Sequence, residues 1–126
     1  MVSFEGFVLE DNIPIYLQIT GFIKRGIVSG VITDGDEMPS RRMLSAMLGV
    51  NPNTVQKSYA MLEEQGLIQS RAGAKSYVRV DTDTIPALRQ EILSASLRSL
   101  IDAMKQMGMN REDAQAAIAK FWEVEE

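Results

Sequence analysis

The run Leu48-Gly49-Val50-Asn51-Pro52 limits the possible folds of this chain more than any other stretch. Gly49 is where one helix must stop. Asn51-Pro52 starts another, because an asparagine side chain caps free helical N–H groups and proline loses no hydrogen bond at a first helical position. Upstream, Ser40 is a good N-cap for a helix with an apolar stripe of Met43, Leu44, Met47 and Leu48. Downstream, Val55, Tyr59 and Leu62 mark the inner face of a second helix, closed by Gly66. Two helices joined at a glycine by a turn of about four residues form a helix-turn-helix pattern. Met43, Leu44, Leu48, Val55, Tyr59 and Leu62 are its expected core, with Val50 buried at the corner.

The residues after Gly66 narrow the pattern further. Leu67, Ile68 and Ser70, then Tyr77, Val78 and Val80, are strand-like, and Arg71 to Lys75 between them is a short loop containing Gly73. A basic hairpin directly after a helix-turn-helix is the winged form of the motif. Before it, Pro14 introduces a helix from Ile15 to Val28, with Ile15, Ile19, Phe22, Ile23, Gly26 and Ile27 on one face and Gly30 at its end. Thr33-Asp34-Gly35-Asp36 is a turn in which Gly35 takes a positive φ. Residues 1–12 have no period and are expected to be an extended arm without a functional role.

Beyond Asp81 the pattern changes to a helix from Ile85 to about Met107, with Leu93, Leu97, Leu100, Ile101, Met104 and Met107 on one stripe. Gly108 ends it. Asn110 then caps a last helix, with Asp113 in a capping-box position and Ala114, Ala117, Ile118, Phe121 and Trp122 on its apolar face. Two such helices are expected to enclose no hollow of the approximately 300–1,000 Å³ that small ligands need. Nor can they bury two apolar stripes alone. The expected solution is a homodimer around Leu97, Ile101, Met104, Phe121 and Trp122, and the alternative is packing on the chain's own first domain. The fold class is therefore mainly α with a small β-hairpin. A winged helix-turn-helix domain over 1–80 precedes a two-helix dimerisation segment over 81–126.

A chain of 126 residues suits one domain, or a small domain with an appendage. It has no cysteine and no histidine, which removes disulfides, ordinary zinc sites and imidazole-based nucleophilic catalysis. No paired carboxylates sit in an apolar context, so neither an enzyme activity nor a cofactor or metal is expected. Apolar runs are far shorter than the roughly 20 residues that span a bilayer, and the acidic N-terminus is unlike a secretory signal. The expected location is the cytoplasm.

Charge distribution says more than the net value of −4. Between Met38 and Val80, six basic residues face two acidic ones, a local +4 on a remainder of −8. That is the electrostatic footprint of a basic module on an acidic body. Short polar side chains belong at the start of a recognition helix, which approaches base edges in the major groove of double-stranded DNA. Asn51, Asn53, Thr54, Gln56 and Lys57 gather there, and an amide such as Gln56 can pair bidentately with adenine. Arg41 and Arg42, beside Ser40, are placed to reach phosphate or guanine. Arg71 and Lys75 would carry the hairpin onto the backbone or into the minor groove. The plainer readings stand beside these: Asn51 as a cap, Arg41, Arg42 and Arg79 as solvated charges.

The run PSRRMLSAMLGVNPNTVQKSYAMLEEQGLI, followed by RAGAKSYV, resembles the winged helix-turn-helix of GntR-type bacterial transcription regulators. The preceding PIYLQITGFIKRGIVSG looks like that family's first helix, so the resemblance covers Pro14 to Val80. It implies that Arg42 matches a DNA-contacting arginine, that Asn51 and Gln56 match contacting positions of the recognition helix, and that Gly73 matches the wing-tip glycine. Pro52 and Gln56 stand where many relatives carry arginine, and Lys75 replaces a second wing glycine. A two-helix C-terminal segment in place of a large effector domain looks like the YtrA-type subfamily, whose members are dimers often associated with transporter operons.

The function expected is that of a sequence-specific transcription regulator, a repressor binding a palindromic operator as a homodimer. No small-molecule effector is specified by the residues. A winged-helix adaptor that binds protein through its Phe121/Trp122 face is the alternative, and a carboxylate-dependent hydrolase has no supporting site.

Overall fold

A computed structural model describes residues 1–71, 73 and 75–124, which form five helices and one hairpin. In chain order these are α1 (Ile15–Ser29), α2 (Arg41–Leu48), α3 (Pro52–Glu64), β1 (Ile68–Arg71), β2 (Lys75–Val78), α4 (Thr84–Gln106) and α5 (Arg111–Trp122). They make two compact units, Met1–Leu88 and Arg89–Glu126.

In the first unit α1 and α2 both pack on α3. Ile19, Ile23 and Ile27 of α1 meet Leu44 of α2 and Val55, Tyr59 and Leu62 of α3 in a closed core. Each such side chain contributes roughly 1.5–3 kcal/mol by leaving water. Gly26 lies on the same face of α1 because Ile32 folds back against it, and a Cβ there would collide with the Ile32 side chain. Leu48 is half-buried, as is Val50 at the corner. Two members of the α2 stripe behave differently from expectation. Met43 is 44 % and Met47 58 % exposed, because a helix of little more than two turns presents only one narrow row, through Leu44 and Ser45, to its neighbours.

The N-terminal arm also departs from its expected role as a plain extended lead. Val2 and Phe4 are buried, and Phe4 stacks on Phe22 at 4.9 Å with Phe7 edge-on to Phe22 at 5.3 Å. The Val2 N–H donates to the Glu37 carbonyl at 2.8 Å, and the Gln18 amide closes the arm by bonding both the N–H and the carbonyl of Glu10. The arm thus completes the outer side of α1.

The hairpin pairs Ile68 with Val78, Gln69 with Tyr77, Ser70 with Ser76 and Arg71 with Lys75. Arg71 and Lys75, expected in the loop, therefore end the strands. Residues 35–38 run beside β2, with Gly35 N to Val78 O at 2.8 Å, Val78 N to Asp36 O at 2.8 Å and Met38 N to Ser76 O at 2.9 Å. Val80, expected in a strand, lies outside it, and its N–H bonds the Asp34 carboxylate at 2.7 Å instead.

In the second unit Asn110 and Asp113 form the expected reciprocal capping box at the start of α5. Little there is buried. Met104 is enclosed, whereas Leu97, Leu100, Ile101, Ile118, Phe121 and Trp122 are exposed. Leu97, Ile101, Met104 and Ile118 line a hollow of about 410 Å³ between α4 and α5. It is a half-open groove and not an enclosed cavity, because no third element of the unit covers the gap between their apolar rows.

Candidate nucleic-acid interface

The corner between α2 and α3 is fixed by local hydrogen bonds. Ser40 Oγ accepts from the Met43 N–H at 3.0 Å, and Asn51 Oδ1 accepts from the Asn53 N–H at 2.7 Å, so both caps form as the sequence requires. Gly49 turns left-handed at φ 67°, and Ser45 closes the loop by donating its hydroxyl to the Val50 carbonyl at 2.6 Å. Tyr59 ties α3 to the start of α2 through its hydroxyl, which donates to the Pro39 carbonyl at 2.6 Å. Burial pushes the Tyr59 phenol well above its usual range, against the pull of the nearby Arg41 guanidinium.

With its inward face committed, α3 turns Asn53, Gln56 and Lys57 outward, all exposed. Spacings of three and four put them on one face. Thr54 is half-buried, and its carbonyl accepts from Ser58 Oγ at 3.2 Å. Asn51 is exposed, with its Oδ1 engaged as a cap. The two arginines of α2 separate. Arg42 is exposed, whereas Arg41 is half-buried with its guanidinium 4.9 Å from the Tyr59 ring centroid. Arg41 Nε is buried without a hydrogen-bond partner among the described residues.

On the hairpin, period-two alternation sends Ile68, Ser76 and Val78 inward and leaves Gln69, Arg71, Lys75 and Tyr77 on the outer side. The Arg71 guanidinium lies over the Tyr77 ring at 4.5 Å, a diagonal cross-strand contact. Gly73, exposed at φ 82°, stands in the turn between Arg71 and Lys75. Glu63, near the end of α3, holds the hairpin by accepting from the Ser70 hydroxyl at 2.7 Å and the Ser70 N–H at 3.1 Å. Those two bonds, the hydroxyl first, keep the Glu63 carboxyl below its usual range.

Sequence reasoning passed over Tyr77, Glu63 and Tyr16, which carries Lys57 over its ring at 3.8 Å. Tyr77 was within reach, since pairing Arg71 with Lys75 sets Tyr77 two residues on, on the same face. Tyr16 and Lys57 are far apart in the chain, and no local pattern links them. Among the described residues no group of histidine, cysteine or acidic side chains is arranged to hold a metal, and no helix is long and apolar enough to cross a membrane.

On an acidic chain, the exposed side chains of Asn53, Gln56 and Lys57 on α3, Arg42 at the start of α2 and Arg71 and Lys75 on the outer face of the hairpin form a candidate DNA-binding surface. Known proteins agree. The family model described as "Bacterial regulatory proteins, gntR family" matches residues 15–78. The HTH-type transcriptional regulator YhcF of Bacillus subtilis is 30 % identical over 114 residues, which covers 90 % of this chain and 94 % of YhcF. The HTH-type transcriptional repressor YtrA of the same organism is 29 % identical, with 90 % of this chain and 83 % of YtrA covered. A solved GntR family transcriptional regulator from Listeria monocytogenes is 36 % identical and superposes with a TM-score of 0.82, covering 93 % of this chain and all of that one.

Proposed function

The chain belongs to the gntR family of bacterial regulatory proteins, DNA-binding regulators of transcription and not enzymes, and we propose that it is a repressor acting as a homodimer on a palindromic operator. The observation that carries this reading is the outward row of Asn53, Gln56 and Lys57 beside a hairpin whose outer face holds Arg71 and Lys75. In it α3 enters the major groove, with Asn53 and Gln56 at base edges and Thr54 and Asn51 at its start. Ser40 and Arg42 meet the backbone, Arg41 braces Tyr59 beside them, and Arg71, Gly73 and Lys75 follow the flanking groove. Residues 1–80 bind DNA and 81–126 join two copies.

The second unit supports the dimer by its composition of surfaces. Leu97, Ile101, Ile118, Phe121 and Trp122 are exposed together, and an apolar hollow lies between its helices. Exposed apolar surface of this extent marks an association surface. A two-fold dimer sets the two recognition helices about 34–36 Å apart, which requires a palindromic site. Occupancy of such a site at a promoter blocks transcription, in keeping with the repressor YtrA to which the chain is similar along most of its length.

Anisotropy titration of the protein with the DNA upstream of its own gene, against a scrambled duplex, tests the reading. Preference for the upstream DNA is expected, falling steeply with salt as counterions are released. Gln56→Ala should weaken that preference by about 1–3 kcal/mol for a lost base contact, and Arg42→Ala should weaken binding to both duplexes for a lost backbone contact, while the dimer persists in each. Equal, weak binding to both duplexes overturns it.

A further inference from the structure

We infer that Tyr16 holds Lys57 at the edge of the recognition helix as a phosphate-binding cation, a contact that sets affinity for DNA without reading its sequence. The inference rests on the proposed DNA-binding function and adds to it a residue of α1. Lys57 Nζ lies 3.8 Å from the centroid of the Tyr16 ring. The backbone beside the pair is fixed as well: Ser58, fully buried, donates its hydroxyl to the Tyr16 carbonyl at 3.1 Å and to the Thr54 carbonyl at 3.2 Å. The first turn of α1 and the middle of α3 therefore make one rigid corner, with the lysine stem on the outside.

The position on the helix decides the ligand. Asn53 and Gln56 are three residues apart and form one row along α3. Lys57, four residues from Asn53 and one from Gln56, lies about 40° and about 100° from them around the axis, so it borders that row on the shared face, and the Tyr16 ring draws it to the α1 side. A helix about 10–12 Å across fills a major groove about 12 Å wide, so its central row faces bases and its flanks face the phosphate walls. An ammonium over a ring directs its N–H donors away from that ring, and a compact point charge suits a phosphate oxygen. Without the ring, four rotatable carbons would let the charge sweep across the groove. Tyr16 is thus a positioning residue and Lys57 the contact.

The test uses the full chain, the duplex upstream of its gene and a scrambled duplex, titrated from about 50 to about 300 mM salt. Lys57→Gln is expected to weaken binding to both duplexes by the same factor and leave their ratio unchanged. Its slope of log K against log salt should fall by about 0.9 per half-site, or about fivefold in affinity per half-site near 0.15 M salt. Tyr16→Phe keeps the ring and should match the parent. Tyr16→Leu should lose part of the affinity, and the Tyr16→Leu/Lys57→Gln double variant should bind no more weakly than Lys57→Gln alone. An unchanged slope for Lys57→Gln, a loss confined to the upstream duplex, or additive losses in the double variant overturn the inference. The outcome is separable from the wider reading: if the parent fails to prefer the upstream duplex, that reading fails, whereas a parent that prefers it and a Lys57→Gln variant with unaltered affinity and salt slope on both duplexes remove this contact only.

Discussion

The two units of the chain solve the same problem differently. Met1–Leu88 buries the apolar faces of three helices, an N-terminal arm and a hairpin on one another, and its central side chains are wholly withdrawn from water. Arg89–Glu126 has regular helices and a complete capping box, yet α5 has no buried residue and Trp122 is 82 % exposed. Good local helix signals thus do not amount to a core. Helical stability in proteins comes mainly from packing an apolar face, and two helices have too few faces to enclose one another. The first unit closes a core of its own, whereas the second leaves most of its large apolar side chains exposed.

The largest effect that separates them is expected from Leu62→Ala. It empties a fully buried position, costing about 2–5 kcal/mol, and the fall in melting temperature should be the same at every protein concentration. The cost of Leu97→Ala should instead shrink as the protein is diluted below the dissociation constant of the proposed dimer, because its effect passes through association. If the two variants respond alike to dilution, the contrast between the units is wrong.

Next in size is Ile101→Asp, which places a charge in the proposed dimer face. Dissociation should strengthen by about 3 kcal/mol, on the order of a hundredfold. Sedimentation should then report one chain of 14.0 kDa where the parent gives two. Trp122 is the sole tryptophan, so its emission should shift to longer wavelength as the variant comes apart. A parent that sediments as a single chain would break the proposal for the second unit and leave the first untouched.

The smallest effect concerns pH. Glu63 is held below its usual range by Ser70, so its stabilisation of the hairpin is fully present above the ordinary carboxylate value of about 4 and is lost as pH falls through the lower folded value. Lowering the pH from about 6 to about 3 should therefore reduce the melting temperature of the parent more than that of Glu63→Gln. Equal slopes would mean that Glu63 does not hold the hairpin.

Much of the first unit was readable residue by residue. The caps at Ser40, Asn51 and Asn110, the stop at Gly49 and the inward rows of α1 and α3 all depend on partners within five residues. The candidate interface was readable to the same depth, as a cluster of polar and basic positions on a helix start and a hairpin. The sequence erred where burial depends on remote neighbours. Met43 and Met47 carry the right spacing but meet no opposing surface, while Val2 and Phe4 show no period and are buried by Phe22 and the 35–38 segment.

The sequence by itself determined the order of elements, the caps and stops of its helices and the sign of charge on each, because hydrogen bonds at helix termini and period along an element are local properties. Only the tertiary structure decided that Arg41 lies on Tyr59 while Arg42 stays free of it, that Lys57 rests on Tyr16, and that Glu63 clasps Ser70. Each of those pairs joins different elements, and which elements meet is settled by the packing of the whole core.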